Sequence, residues 1–118
     1  MLAEQCSGLL TFTRHPDGCA LLYPRPLWEE KRTELMALPY AARAFQRIVM
    51  GSAIDVEMDS SGRILVPSEI RNSCGLSRDI VLVGLGSHFE LWSAENLEKA
   101  EKQAKKENLS EIAASFNF

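Results

Sequence analysis

Asp79-Ile80-Val81-Leu82-Val83-Gly84, then Gly86-Ser87, then His88-Phe89-Glu90-Leu91-Trp92, reads as two extended runs joined by a tight turn. The runs are rich in β-branched, leucine and aromatic side chains, and the glycine and serine between them interrupt the pattern. Ser93 follows as a natural helix N-cap. Leu97, Ala100 and Ala104 then recur at helical spacing on a charged segment reaching about Lys106. The unit is strand, turn, strand, helix.

The first third of the chain repeats that order. Leu9-Leu10-Thr11-Phe12-Thr13 is a strand, Pro16-Asp17-Gly18 is a hairpin turn signal, and Cys19-Ala20-Leu21-Leu22-Tyr23 is the returning strand. A helix opens near Pro26, with Leu27, the Lys31 stem, Leu35 and Leu38 on one face. Leu22-Tyr23 falls on Leu91-Trp92 at an offset of 69, and Leu10 falls on Val81 at an offset of 71, so the first turn is expected to be two residues longer. The order and type of the segments point to an internal duplication.

Pro39 stops the first helix, and a second is expected from about Tyr40 with Ala41, Phe45, Ile48 and Val49 as its apolar face and Gly51 as its stop. Arg43 and Arg47 stand four apart on another face, where a solvated surface is the plainer reading. Ile54, Val56 and Met58 then alternate, Asp59-Ser60-Ser61-Gly62 turns, and Arg63-Ile64-Leu65-Val66 is expected to leave as a further strand. Pro67-Ser68 starts a short helix from Glu69 to Ser73 that Gly75 ends. Carried back by 71, the counterparts of Asp59 and Arg63 fall at −12 and −8, so the chain is expected to begin inside its first repeat. The division is thus 1–51 for the first repeat with its linking helices and 52–118 for the second repeat.

The turn at Asp59 carries the most chemistry. Asp at its first position accepts hydrogen bonds from turn N–H groups, and Gly62 supplies a left-handed conformation without steric cost. Arg63 then stands at the start of the returning segment, where Asp59 can restrain its guanidinium. That group is a rigid fork of donors suited to phosphate or to guanine O6 and N7. On residue chemistry alone, a tight hairpin with a surface ion pair is the favoured reading, since D-x-x-G-R is a common pattern.

Asp59-Ser60-Ser61-Gly62-Arg63-Ile64-Leu65-Val66-Pro67, with Ile70-Arg71 after it, resembles the D-x-x-G-R signature of the AbrB-like fold. The flanking segments Ala42–Gly51 and Val83–Trp92 are similar to the MraZ family in particular, and the resemblance runs through the whole chain in order. It implies an α+β fold in which two β-hairpin/helix repeats interleave into a small double-split β-barrel with peripheral helices. It also implies a ring-shaped homo-oligomer that binds double-stranded promoter DNA, at short direct repeats upstream of cell-division and cell-wall genes. Carried over residue by residue, the DNA-binding positions are Asp59, Ser60, Ser61, Gly62, Arg63 and Arg71. Family members carry two D-x-x-x-R motifs, and this sequence carries the second. The other AbrB-fold reading is a protein-binding module such as an antitoxin. Antitoxins use disordered acidic tails, whereas this tail is a mixed-charge amphipathic helix.

Composition narrows the remaining classes. The 118 residues suit one domain, with 46% hydrophobic and 25% charged side chains. A net charge of −3 gives no global attraction to nucleic acid, so DNA contact has to come from a local basic tip, multiplied by oligomerisation. The opening Met1-Leu2-Ala3-Glu4-Gln5 lacks a signal-peptide pattern, and no apolar run approaches the roughly 18 residues of a membrane span. Cys6, Cys19 and Cys74, odd in number and without a C-x-x-C pair, fit a reduced cytoplasmic chain. A cytoplasmic, nucleoid-associated location is therefore expected. His15 and His88 sit at similar turn positions without further ligands at metal spacing, and Trp28 and Trp92 read as core or interface anchors. The Lys/Glu alternation from Glu95 to Glu107 is a solvated helix face. With no nucleophile elbow, P-loop or dinucleotide fingerprint, the sequence points away from an enzyme, and no cofactor, metal or small-molecule substrate is expected.

Overall fold

The computed structural model describes residues 8–116; Met1–Gln5 and Cys6 lie outside the described residues. Strands β1 (Leu9–Arg14) and β2 (Ala20–Pro24) form the first hairpin, and β4 (Ile80–Gly84) and β5 (Phe89–Ser93) the second. Strand β3 (Ile54–Glu57) precedes the second hairpin. All five share one antiparallel sheet of order β3-β1-β2-β5-β4. Helix α1 (Arg25–Met36) follows β2, a 3₁₀ turn (Tyr40–Ala42) leads into α2 (Arg43–Gly51), and α3 (Ser68–Ser73) precedes β4. Helices α4 (Ala94–Ala104) and α5 (Leu109–Phe116) close the chain. Among the described residues no helix is long and apolar enough to cross a membrane.

The two hairpins meet through β2 and β5, with Leu22 opposite Phe89 and Ala20 opposite Leu91. One face of the sheet buries Leu10, Phe12, Leu22 and Leu91 against Ile70, Cys74 and Leu76. The other buries Leu21, Tyr23 and Trp92 against Trp28 and Leu35 of α1 and Val49 of α2. Side chains alternate faces along a strand, which is why neighbours such as Leu21 and Leu22 are both buried. Trp28 and Trp92 are core residues, and Ser93 caps α4 by accepting a hydrogen bond from Asn96 N at 3.1 Å. Thr13, fully buried on β1, donates to the Val49 carbonyl at the end of α2 and pairs with Ser52 Oγ at 2.8 Å.

Four expectations need correction. The turn of the first hairpin (15–19) is one residue longer than that of the second (85–88), not two. Phe12 opposes Leu22 and Leu82 opposes Leu91, so on the first strand of each hairpin the structural offset is 70. An offset of 71 would put Phe12 on Val83, which packs on the opposite face, because a one-residue slip inverts a strand. Secondly, Arg63–Val66 forms no strand ladder among the described residues. One backbone–backbone bond, Asp59 N to Arg63 O at 2.8 Å, ties it back across the turn, while Ile64 and Val66 rest on the first core. Thirdly, α1 ends at Met36, so Leu38 falls beyond it and is exposed, and Trp28 takes the buried place beside Leu35. Finally, the second helix begins at Arg43 after the 3₁₀ turn, and Val49 is its buried residue.

Candidate functional site

The hairpin tip is fixed at both ends. On the incoming side, β3 lies along β1, with Val56 opposite Leu10, and Met58 N donates to Gly8 O at 2.8 Å beyond the last ladder pair. On the outgoing side, Ile64 and Val66 anchor in the core and Pro67 leads into α3. The five residues between, Asp59 to Arg63, are therefore held on a rigid support.

Within the tip, Gly62 N donates to Asp59 O at 3.0 Å, and Gly62 sits at φ +81° with nothing near a Cβ position. Glycine is demanded there by backbone conformation alone. Asp59 Oδ1 accepts from Ser61 N at 2.9 Å and from Arg63 N at 2.8 Å, and Arg63 Nε donates to Asp59 Oδ2 at 3.1 Å. The Arg63 backbone N–H, chiefly, and then the Ser61 N–H and the Arg63 side chain hold the Asp59 carboxyl below its ordinary 3.8. Asp59 is thus a carboxylate at neutral pH, ordering the turn and aligning the guanidinium. The Arg63 side chain is 79% exposed, and its terminal nitrogens face no protein partner among the described residues. Its Nε is occupied and its Nη edge is free to form paired hydrogen bonds.

The structure brings Asp59, Ser60, Ser61, Gly62 and Arg63 together in this turn. Arg71 is not bonded to them. It stands exposed on α3, next to buried Ile70, with its backbone N bonded to Pro67 O at 2.9 Å. The sequence reading missed Arg25. Its Nη2 donates to Leu10 O of β1 and Val56 O of β3, both at 3.1 Å, clamping the root of the hairpin. Its Nε has no hydrogen bond and lies 3.6 Å from Asp55 Oδ1, a Coulombic distance, while Thr11 Oγ1 donates to the same oxygen at 2.8 Å. An arginine after Pro24 reads only as a helix start, so nothing in its spacing signals this role.

The arrangement offers oriented donors on a protruding tip. No cluster of three or more His, Cys, Asp or Glu among the described residues could hold a metal. Burial pushes the Cys19 thiol up to about 12, with nearby Glu90 and Cys74 adding to the effect, and burial raises Cys74 as well. Both are protonated core residues rather than reactive thiols.

Residues 49–116 match the family model described as "MraZ protein, putative antitoxin-like". Across 117 residues the chain is 48% identical to a protein of Bordetella pertussis named "Transcriptional regulator MraZ", covering 99% of this chain and 82% of that one. Proteins of the same name from Janthinobacterium sp. and Acidovorax sp. are 47% and 44% identical with the same coverage. The chain belongs to the MraZ family. The name carried by these MraZ relatives is that of a regulator, not of an enzyme class. The family match also spans the whole Asp59–Arg63 tip and its supports Ile64, Val66 and α3.

Proposed function

We propose that this chain is a sequence-specific, DNA-binding transcriptional regulator that reads double-stranded promoter DNA with the Asp59–Arg63 tip. The observation carrying this reading is the Arg63 guanidinium, exposed yet aligned through Nε by a carboxylate that is itself fixed by two backbone N–H groups. An exposed ion pair contributes little to folding stability, so its value lies in orientation. Because Asp59 offsets much of the Arg63 charge, the tip favours directional bonds to base edges over diffuse phosphate attraction. Arg71 serves as a flanking phosphate contact.

With a net charge of −3, one tip gives modest affinity, and a homo-oligomeric ring multiplies it over direct repeats. In this reading the two repeats, 1–51 and 52–118, build an AbrB-like double-split barrel. The targets are cell-division and cell-wall promoters, and the protein resides in the cytoplasm on the nucleoid. Fluorescence anisotropy with repeat-bearing promoter DNA tests it. Parent protein should bind with a log–log salt slope of roughly 0.9 per phosphate neutralised. A flat salt response, or equal affinity for scrambled DNA, would remove the reading.

A protein-binding role of the antitoxin kind is supported by one feature, the exposed Leu109 and Ile112 on α5. In that case truncation after Ala104 would abolish partner capture and leave DNA binding intact.

A further inference from the structure

The two hairpins differ in what lies along their outer edge. Leu85 N donates to His88 O at 2.9 Å across the turn of the second hairpin. Bonded and non-bonded pairs alternate along an antiparallel ladder, so Val83 and Val81 bond β5, while Ile80, Leu82 and Gly84 turn their N–H and C=O groups outward. On β1 the corresponding groups, those of Leu10 and Phe12, are met by Val56 and Ile54 of β3. On β4 no strand of the described residues takes them up. The open edge is also apolar. Leu82 is 58% exposed, Ile80 and Val81 are each 37% exposed, and no charged side chain lies between Ile80 and Gly84.

This edge is its own complement. Two copies of β4 laid antiparallel about a two-fold axis at Leu82 set Leu82 opposite Leu82 and Ile80 opposite Gly84. These are the residues whose backbone groups face outward, so each such pair can exchange both of its N–H···O=C bonds over the full length of the strand. A slip of one residue would instead set outward groups against groups already bonded to β5. Val81 of one copy meets Val83 of the other. Beyond the strand, Asp79 falls opposite Leu85 and Arg78 opposite Gly86, so no like charges oppose each other.

The other edge of the sheet is guarded. Met58 N donates to Gly8 O, and by the same alternation Ile54 and Val56 bond β1 while Asp55 and Glu57 face outward. Bonding two β3 strands through these residues sets carboxylate opposite carboxylate. Bonding β3 to β4 would lay the carboxylates along an aliphatic edge. Of these pairings, β4 with β4 is free of charge. We infer that β4 is a dimerisation edge, on which a second copy of this chain pairs antiparallel about Leu82 and joins the two sheets into one. The contact is isologous and closes on itself. It does not rest on the DNA-reading role of the tip.

Crosslinking of the full chain tests it. At a bonded antiparallel pair the two Cα atoms lie about 5.5 Å apart, within the span of a disulfide. Leu82→Cys, oxidised with diamide, should give a covalent dimer on a denaturing gel at least tenfold faster than the parent with its own cysteines. It should also outpace Leu85→Cys, which the same register sets opposite Asp79, by as much. Leu82→Lys, checked as folded by its melt, should halve the particle mass in sedimentation, whereas Arg63→Ala should leave the mass unchanged. Equal rates for Leu82→Cys and Leu85→Cys, or a parent that sediments as a monomer at every concentration, would overturn the pairing. So would a folded Leu82→Lys variant of parental mass. Fibres that lengthen with concentration would mean β3–β4 contacts and overturn it too.

Discussion

Phe12 and Leu82 stand at corresponding places in the two hairpins, each opposite a core leucine, yet Phe12 is 1% exposed and Leu82 58%. The difference is β3. It lies along the outer edge of β1 and covers the first hairpin, whereas no strand of the described residues lies beyond β4, which is an edge like β3 itself. Strands β1 and β2 are interior to the sheet, and their apolar residues are largely buried. Strand β3 lies in the second repeat yet covers the first hairpin, which leaves β4 as the edge of the second hairpin. Ile80 and Val81, beside Leu82, are exposed with it.

An apolar open edge recruits strands from other chains. Leu82→Lys should therefore reduce self-association in light scattering while changing stability by less than about 0.5 kcal/mol, as for an exposed site. Phe12→Ala should cost about 3–5 kcal/mol in a denaturant melt. An unchanged mass distribution for Leu82→Lys would place association elsewhere.

At the tip, Arg63→Ala should cost about 1–3 kcal/mol of specific DNA binding by anisotropy. Arg63→Lys should restore only part, since an ammonium cannot form the paired bonds of the fork. Asp59→Asn should retain some turn order but lose the pairing with Nε, raising non-specific affinity as specificity falls. Equal affinities across this series would exclude the tip as the reading element.

Much of this was legible in the sequence. The hairpins, the Ser93 cap, the Asp59 turn and the glycine at its left-handed position follow from local rules that act over four or five residues. Arg63–Val66 was not, because four apolar-rich residues read as a strand whether or not a neighbour exists to pair with them. Nor was Arg25, whose partners Leu10 and Val56 come from strands 15 and 31 residues away. The two turn histidines were visible as counterparts, but only the pairing of β2 with β5 brings them to one cavity beside α1 and α2.

The Asp59 carboxyl should titrate below 3.8, followed by its carboxyl carbon signal in NMR. Its folded pKa is depressed, so its contribution to tip order is complete above 3.8 and is lost as pH falls through the folded value. Ser61 and Arg63 amide protection should disappear over that same acid window. A midpoint at or above 3.8 would contradict the hydrogen-bond pattern.

Asn96 gives the last expectation. Its Nδ2 donates to Gly18 O at 3.1 Å and Cys74 O at 3.2 Å, joining the first hairpin turn, the end of α3 and the first turn of α4. Three elements remote in sequence thus depend on one amide. Asn96→Ala leaves two carbonyls without a partner, which costs about 1–3 kcal/mol for each one that water cannot reach. Asn96→Asp should be worse, since it sets carboxylate oxygens against the same carbonyls, and raising pH above the carboxyl range should deepen its defect. At about 4 °C of Tm per kcal/mol for a chain of this size, both effects are measurable by calorimetry. If Asn96→Ala melted with the parent, the two carbonyls would have to be satisfied by solvent, and strand pairing and core packing would join the repeats without help from this amide.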